Sequence, residues 1–466
     1  MSDYDVIVIG AGAAGLSAAV SAAEGGASVL LLEADARCGG SSRLSGGHIY
    51  AAGTSLQREA GIVDDADAMF EHYMTLNQFL VEASVVRRYC DLSASAFEWL
   101  RELGVHFPAA GLYRSGVGSV PRGHQPEGAG AAIVEALEGR ASALRIDQVL
   151  NCRASGLLRD DAGAIRGVRA PDGDVTAPAV VIASGGFGAN PELLARHYPS
   201  AARNGDWCWY IGSPMAQGDA LALGASVGAA LDGHDRGLIL ASPGFSRDLE
   251  VALPNWLILV NDRGRRFTDE TVSYTVLAGL MQHQGGRIFA VFDEAARANA
   301  KRSPQFNAYW VNEVLERKAE EGVILRADSL AALAAAAGMP AETLAGTVER
   351  YNRDCDAGHD SVFFKKSAAP LPALRTAPFY AVEVRPAIIC WTGCGLRVDA
   401  DVRVLDVNER VIPGLFAAGE AVGSLHGDRY IGGGGSFGPC VTLGRLAGQN
   451  ATTYVQSQGM RSQGAR

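Results

Sequence analysis

Lysine is almost missing from this chain: it occurs only at positions 301, 318, 365 and 366, and arginine supplies the rest of the 41 basic residues. We read that shortage as a coding bias rather than a function. Basic residues are outnumbered by 51 acidic ones, for a net charge of −10, which argues against nucleic acid as a partner. No C-x-x-C pair occurs among the eight cysteines, at 38, 90, 152, 208, 355, 390, 394 and 440. That excludes a zinc ribbon and a c-type haem attachment, and scattered cysteines in a long chain read as reduced thiols. The first apolar stretch has no basic leader and is broken by Gly and Ser. Neither a signal peptide nor a membrane span is expected, and a cytoplasmic location is.

Glycine is what the chain has in excess: 57 of 466 residues, or about 12% against a usual value of about 7%. No collagen period or Gly/Ser tract accompanies it, so the glycines belong at individual tight backbone sites. Length alone predicts about three domain-equivalents, and the motifs reduce that to two.

Asp5-Val6-Ile7-Val8-Ile9 is a β-branched run suited to a strand buried on both faces. Gly10-Ala11-Gly12-Ala13-Ala14-Gly15 follows, then an Ala-rich helix to about Glu24, and a second buried strand from Ser28 to Leu32 that ends on Glu33 and Ala34. This is G-x-G-x-x-G between a strand and a helix, with an acid 18 residues past the last glycine. Gly10 permits the turn, Gly12 lets backbone approach a pyrophosphate, and Gly15 lets helix and strand pack. The helix N-terminus, Ala13 and Ala14 included, holds the anion, and Glu33 accepts from ribose hydroxyls.

That unit suits FAD and NAD alike; three later segments favour FAD. Gly39-Gly40-Ser41-Ser42 and Ser45-Gly46-Gly47 follow the acid, where a flavoprotein wraps backbone around its ring system. Val180 to Gly186 is another buried strand that ends in small residues, Ala183-Ser184-Gly185. Val411 to Glu420 lies far down the chain, where Gly419 and Glu420 reach toward the ribityl hydroxyls. The expected fold is α/β: a Rossmann-type FAD-binding domain in two parts, residues 1–232 and 384–466. Between them, 233–383 has fewer glycines and amphipathic helices at Asn312–Glu321 and Ala341–Asp354. It reads as an inserted α+β capping domain for substrate.

This order of motifs resembles the flavoprotein family of soluble fumarate reductases, succinate dehydrogenase flavoprotein subunits and 3-ketosteroid dehydrogenases. The resemblance covers essentially the whole chain. It rests on the G-x-G-x-x-G unit with Glu33, the GGSS-x-x-SGG run, Gly218-Asp219-Ala220, Asn261 to Phe267, and Pro413 to Glu420. A closing Gly-rich turn completes it, with Gly435-Ser436-Phe437 expected against the flavin. In fumarate-reducing relatives an Arg in T-R-D donates the proton, and the matching position here is Tyr274. Their N-R-L-G-G places a second Arg on a substrate carboxylate, and the matching residue here is Tyr430. Both exchanges replace a guanidinium suited to carboxylates by a neutral hydroxyl.

The resemblance is strongest to the ring-ketone desaturases. It implies that Tyr430 and the Gly434 N–H bind the ketone oxygen, and that Tyr274 removes the α-proton as base, helped by Arg265 or Arg266. Hydride passes to the flavin. The family's third tyrosine has Tyr113 as its nearest candidate. Where succinate dehydrogenases attach flavin through His, this chain has Gly40, so non-covalent FAD is expected. His48, His124 and His426 read as structural. Arg114, Arg122 and Arg429 leave room for a carboxylate on the substrate, and Trp207-Cys208-Trp209-Tyr210 suits an apolar slot or packing equally. The expected partners are a small cyclic ketone and an external electron acceptor. The alternatives are an ene-reductase of the fumarate or urocanate type and a flavin-binding redox sensor.

Overall fold

The computed structural model describes residues 2–247, 249, 252–302, 309–366, 370–427 and 429–464, without side chains for 459–464. By internal contacts the chain divides into two compact units. The first comprises Met1–Ala202, Tyr210–Leu238 and Cys390–Arg466; the second comprises Arg203–Trp209 and Ile239–Ile389. No described helix is long and apolar enough to cross a membrane.

The first unit is built on a six-stranded sheet. Its order is Arg403–Leu405, Val411–Ala417, Ala179–Ile182, Val6–Ile9, Val29–Leu32, Asp147–Val149. The four strands from Val411–Ala417 to Val29–Leu32 run parallel, and Asp147–Val149 joins them in the same direction. Arg403–Leu405 closes the other edge antiparallel. Val6–Ile9, Val29–Leu32 and Ala179–Ile182 are buried along their whole length. Continuous apolar runs are what a parallel sheet covered on both faces requires.

Helix Ala13–Glu24 starts directly from the first strand. Its face of small residues meets the C-terminal helix Phe437–Gly464 at backbone distance. A Cβ on Gly444 or Gly448 would overlap the carbonyl oxygen of Ala14 or Ala18. The chain's last helix thus locks onto its first.

The second unit centres on a four-stranded antiparallel sheet, ordered Ile258–Asn261, Ile288–Asp293, Phe379–Glu383, Leu325–Ala327. Its alternation is regular. Leu257 and Leu259 join one core with Trp310, Leu315 and Met281, while Ile258 and Val260 join a second with Leu333, Leu344 and Tyr351. Both faces are therefore covered, one of them by helices Leu330–Ala337 and Ala341–Ala357. The helix expected at Asn312–Glu321 spans Asn312–Glu320.

Candidate active site

Where the first strand of the parallel sheet gives way to its helix, backbone geometry leaves little choice of residue. Gly10 has φ +100°, and a Cβ there would come within 2.5 Å of the Ala183 carbonyl oxygen. A Cβ on Gly15 would overlap the Gly10 carbonyl. Gly12 differs: on the protein side its Cβ would meet only Ser42 Oγ at 3.6 Å and Gly39 O at 3.9 Å. Gly12 is the N-cap of helix Ala13–Glu24 and supplies no side-chain cap. Ala13 N–H donates to Ser42 Oγ at 3.1 Å, and the other first-turn donors are left for an anion.

Two buried carboxylates flank this turn. Glu33 accepts the Ala11 N–H at 2.6 Å and the Asp35 N–H at 2.8 Å, one on each oxygen. Each oxygen keeps a lone pair for a hydroxyl. Glu420 accepts both the Thr392 N–H (2.8 Å) and the Thr392 O–H (2.7 Å) on Oε1. Burial pushes its carboxyl up to about 7, against the pull of those two bonds. The Ser184 hydroxyl is buried and has no hydrogen-bond partner among the described residues.

These groups line one cleft with a cavity volume of about 290 Å³, close to the lower end of the roughly 300–1,000 Å³ of a small-ligand pocket. Its wall includes Gly10, Gly12, Ala13, Ala14, Glu33 and Ala34, then Gly40, Ser41, Ser42, Ser45, Gly46 and Gly47. Ala183, Ser184, Gly185, Glu420, Ser436 and Phe437 complete the expected set. Gly15, Gly419 and Gly435 are not among the lining residues. Gly15 backs onto Gly10, Gly419 packs on Ala14, and Gly435 packs on Ile431. The donor-rich turn, the paired acids and the orphaned Ser184 hydroxyl fit an adenine dinucleotide.

Tyr430 and Gly434 line the same cleft. Tyr430 is 6% exposed. Its oxygen accepts the Ser436 N–H at 2.7 Å and lies 2.7 Å from Ser436 Oγ. Burial raises its pKa, while both Ser436 bonds pull it down. Gly434 has φ +97°, and a Cβ there would lie 2.5 Å from Tyr50 N, so no other residue fits.

Tyr274 is the first residue of helix Tyr274–Gln282, behind the N-cap Ser273, in the second unit. Arg266 does not carry free positive charge as expected: it is buried between Glu270 (2.9 Å) and Asp360 (2.8 Å). Arg122 is likewise committed, paired with Asp64 at 2.6 Å with both side chains buried. Arg114 is exposed on strand Leu112–Arg114.

The histidines separate. His124 is buried, its Nε2 2.9 Å from Thr54 Oγ1, and burial lowers it to about 4. His426 is buried against Tyr73, Trp391 and Tyr430, and burial lowers it to about 3. His48 instead lines the cleft. Trp207 stacks under the Arg385 guanidinium at 4.4 Å, and Tyr210 reaches Ser41 Oγ at 3.1 Å. Sequence reasoning missed Arg153, Met215, Cys390, Trp391 and Cys440 as lining residues. Arg153 and Met215 come from loops, Cys390 and Trp391 from strand Arg385–Thr392 and Cys440 from helix Phe437–Gly464, and no local motif links these segments.

Comparison with known proteins agrees with this geometry. A family model described as "FAD binding domain" matches residues 5–436. The chain is 32% identical over 467 residues to a fumarate reductase (cytochrome) of Shewanella frigidimarina, covering 97% of this chain and 77% of that one. It is 29% identical to a 4-oxocyclohexanecarboxylate 2-dehydrogenase of Sinomonas cyclohexanicum, covering 96% and 92%. Among solved structures it is similar to the 3-ketosteroid-Δ4-(5α)-dehydrogenase of Rhodococcus jostii RHA1 in complex with 4-androstene-3,17-dione. The TM-score is 0.80 at 28% identity, over 97% of this chain and 98% of that one.

Proposed function

Because the chain belongs to the FAD-binding family of fumarate reductases and succinate dehydrogenase flavoproteins, we propose that it desaturates a cyclic ketone between the carbons α and β to the carbonyl. It is an FAD-dependent oxidoreductase acting on CH–CH bonds; the ring ketone is our reading. The observation that carries it is the pairing of a buried, protonated phenol, Tyr430, with Gly434 in the cleft that fits the dinucleotide. The likeness to the two ring-ketone dehydrogenases supports it.

An α-proton is too weak an acid for any side chain unless the carbonyl oxygen is stabilised as charge develops on it. Tyr430 O–H and Gly434 N–H are neutral donors that strengthen as the oxygen becomes negative. Ser436 N–H donates to the Tyr430 oxygen, which polarises the phenol and makes its O–H a better donor. Tyr274 takes the α-proton in this scheme, and residues 233–383 serve as the substrate domain.

Gly10, Gly12, Ala13, Ala14 and Ser42 would hold the pyrophosphate of FAD, Glu33 the ribose, and Glu420 with Ser184 the ribityl side. When bound there, FAD supplies the electron-accepting half of the chemistry. With Gly40 at the position of the attachment histidine in succinate dehydrogenases, FAD is held without a covalent bond. Its electrons would leave to an external acceptor.

The fumarate reductase likeness favours a second reading, the same site run as an ene-reductase. Anaerobic mixing of the purified flavoprotein with a panel of cyclic ketones separates the two. Bleaching of the flavin by a ketone is expected. No bleaching by any ketone, together with oxidation of the reduced enzyme by an enoate, overturns our choice. A redox sensor would show neither response.

A further inference from the structure

One polar group in the cleft has no part in that scheme. His48 lines the same cleft as Tyr430 and Gly434. Its Nδ1 lies 2.5 Å from the Tyr113 hydroxyl, and the two rings meet edge to face at 5.3 Å. Strand Pro121–His124 brings them together by pairing with Ile49–Tyr50 on one side and Leu112–Arg114 on the other.

Glycines surround the pair wherever a side chain would displace it. A Cβ on Gly46 would come within 2.6 Å of the His48 imidazole, and one on Gly123 within 2.6 Å of the Tyr113 ring. On Gly433 it would overlap the Tyr113 hydroxyl. Part of the glycine excess therefore serves to seat a tyrosine and a histidine against each other.

The bonds through the pair have a direction. The Tyr113 hydroxyl lies within hydrogen-bond distance of His48 Nδ1, and a neutral phenol has one proton to give. Donated to Nδ1, that proton makes the ring nitrogen the acceptor. Burial disfavours both the phenolate and the imidazolium, so the pair is neutral. An imidazole that accepts at Nδ1 carries its single proton on Nε2. No hydrogen bond to Nε2 is made among the described residues.

We propose that His48 donates its Nε2–H to a second oxygen on the substrate, distinct from the ketone oxygen held by Tyr430 and Gly434, and so selects ring ketones that carry a further carbonyl or carboxylate. The proposal rests on the ring-ketone reading. Tyr113 is a positioning residue that locks the tautomer in which the imidazole is a donor at Nε2, as outer partners do for histidine ligands.

Anaerobic titration of the FAD-loaded enzyme, followed by flavin absorbance, tests this with two probes. Cyclohexanone offers one oxygen site; 4-oxocyclohexanecarboxylate offers two. His48→Phe is expected to weaken the carboxylate probe about tenfold, the equivalent of one hydrogen bond of about 1.4 kcal/mol. Binding of cyclohexanone should change less than about twofold on the same reasoning. His48→Gln, which returns an amide donor, should recover most of the loss. Tyr113→Phe should show a smaller loss with the same selectivity, and it keeps the test alive if His48→Phe does not fold.

Equal loss for both probes would put the Nε2–H on the reacting ketone or on the cofactor and overturn the proposal. Unchanged affinity for both in every variant would overturn it as well. A wild-type flavin that no ketone perturbs overturns the ring-ketone reading and this inference with it. A ketone response without selectivity overturns this inference alone.

Discussion

Tyr430 keeps its proton because burial raises its pKa, even though two bonds from Ser436 act the other way. A phenol in that state donates a hydrogen bond and does not abstract a proton. The base of the reaction must therefore be another group, and Tyr274 fills that place in our scheme. Replacing Tyr430 by Phe removes one of two donors to the developing oxyanion, so kcat should fall by about 10²–10³. FAD content should stay at the wild-type level, because the ring and its packing against His426 remain. Stopped-flow reduction by the best ketone checks this, and reduction at the wild-type rate would remove Tyr430 from the oxyanion site. Tyr430 and Gly434 are readable in the sequence because they lie four residues apart in one glycine-rich turn. His48 and Tyr113 are not. They are 65 residues apart, and only strand pairing decides that they touch.

At the scale of elements, the strand–turn–helix opening is legible because its determinants are local. A β-branched run, positive-φ Gly10 and an Ala-rich helix all occur within 20 residues. The second unit shows the same for its sheet, whose alternate residues fall into different cores. What cannot be read locally is the seam between helices Ala13–Glu24 and Phe437–Gly464. Gly444 and Gly448 sit one turn apart in a helix whose propensity they weaken, by about 1 kcal/mol each. Their reason is a partner more than 400 residues away: the carbonyls of Ala14 and Ala18. A methyl at Gly448 has no flexible neighbour to displace, because it meets backbone. Gly448→Ala should gain helix propensity yet lose about 1–3 kcal/mol through overpacking. Because helix Ala13–Glu24, which the methyl displaces, starts at the cleft, FAD retention should fall too. Thermal melts and the flavin-to-protein absorbance ratio measure the two effects, and a stabilised variant would show that the helices separate at no cost.

For the whole molecule, the sequence arithmetic pointed to about three domains, whereas internal contacts divide the chain into two units. The arithmetic fails because one unit is assembled from three stretches of chain, Met1–Ala202, Tyr210–Leu238 and Cys390–Arg466. The cleft draws on all three: Gly12 from the first, Ser213 from the second and Glu420 from the third. A ligand that contacts all of them stabilises that unit as a body, by RT ln(1 + [L]/Kd), or about 2.7 kcal/mol at a hundredfold excess over Kd. The second unit has its own sheet and two cores of its own, and none of its described residues lines the cleft. Calorimetry of protein stripped of FAD should therefore show two transitions. Restoring FAD should raise one of them by several degrees and leave the other in place. The same experiment tests non-covalent attachment, since FAD that cannot be stripped without hydrolysis would contradict it. A single transition that moves as a whole would mean that the two units unfold as one.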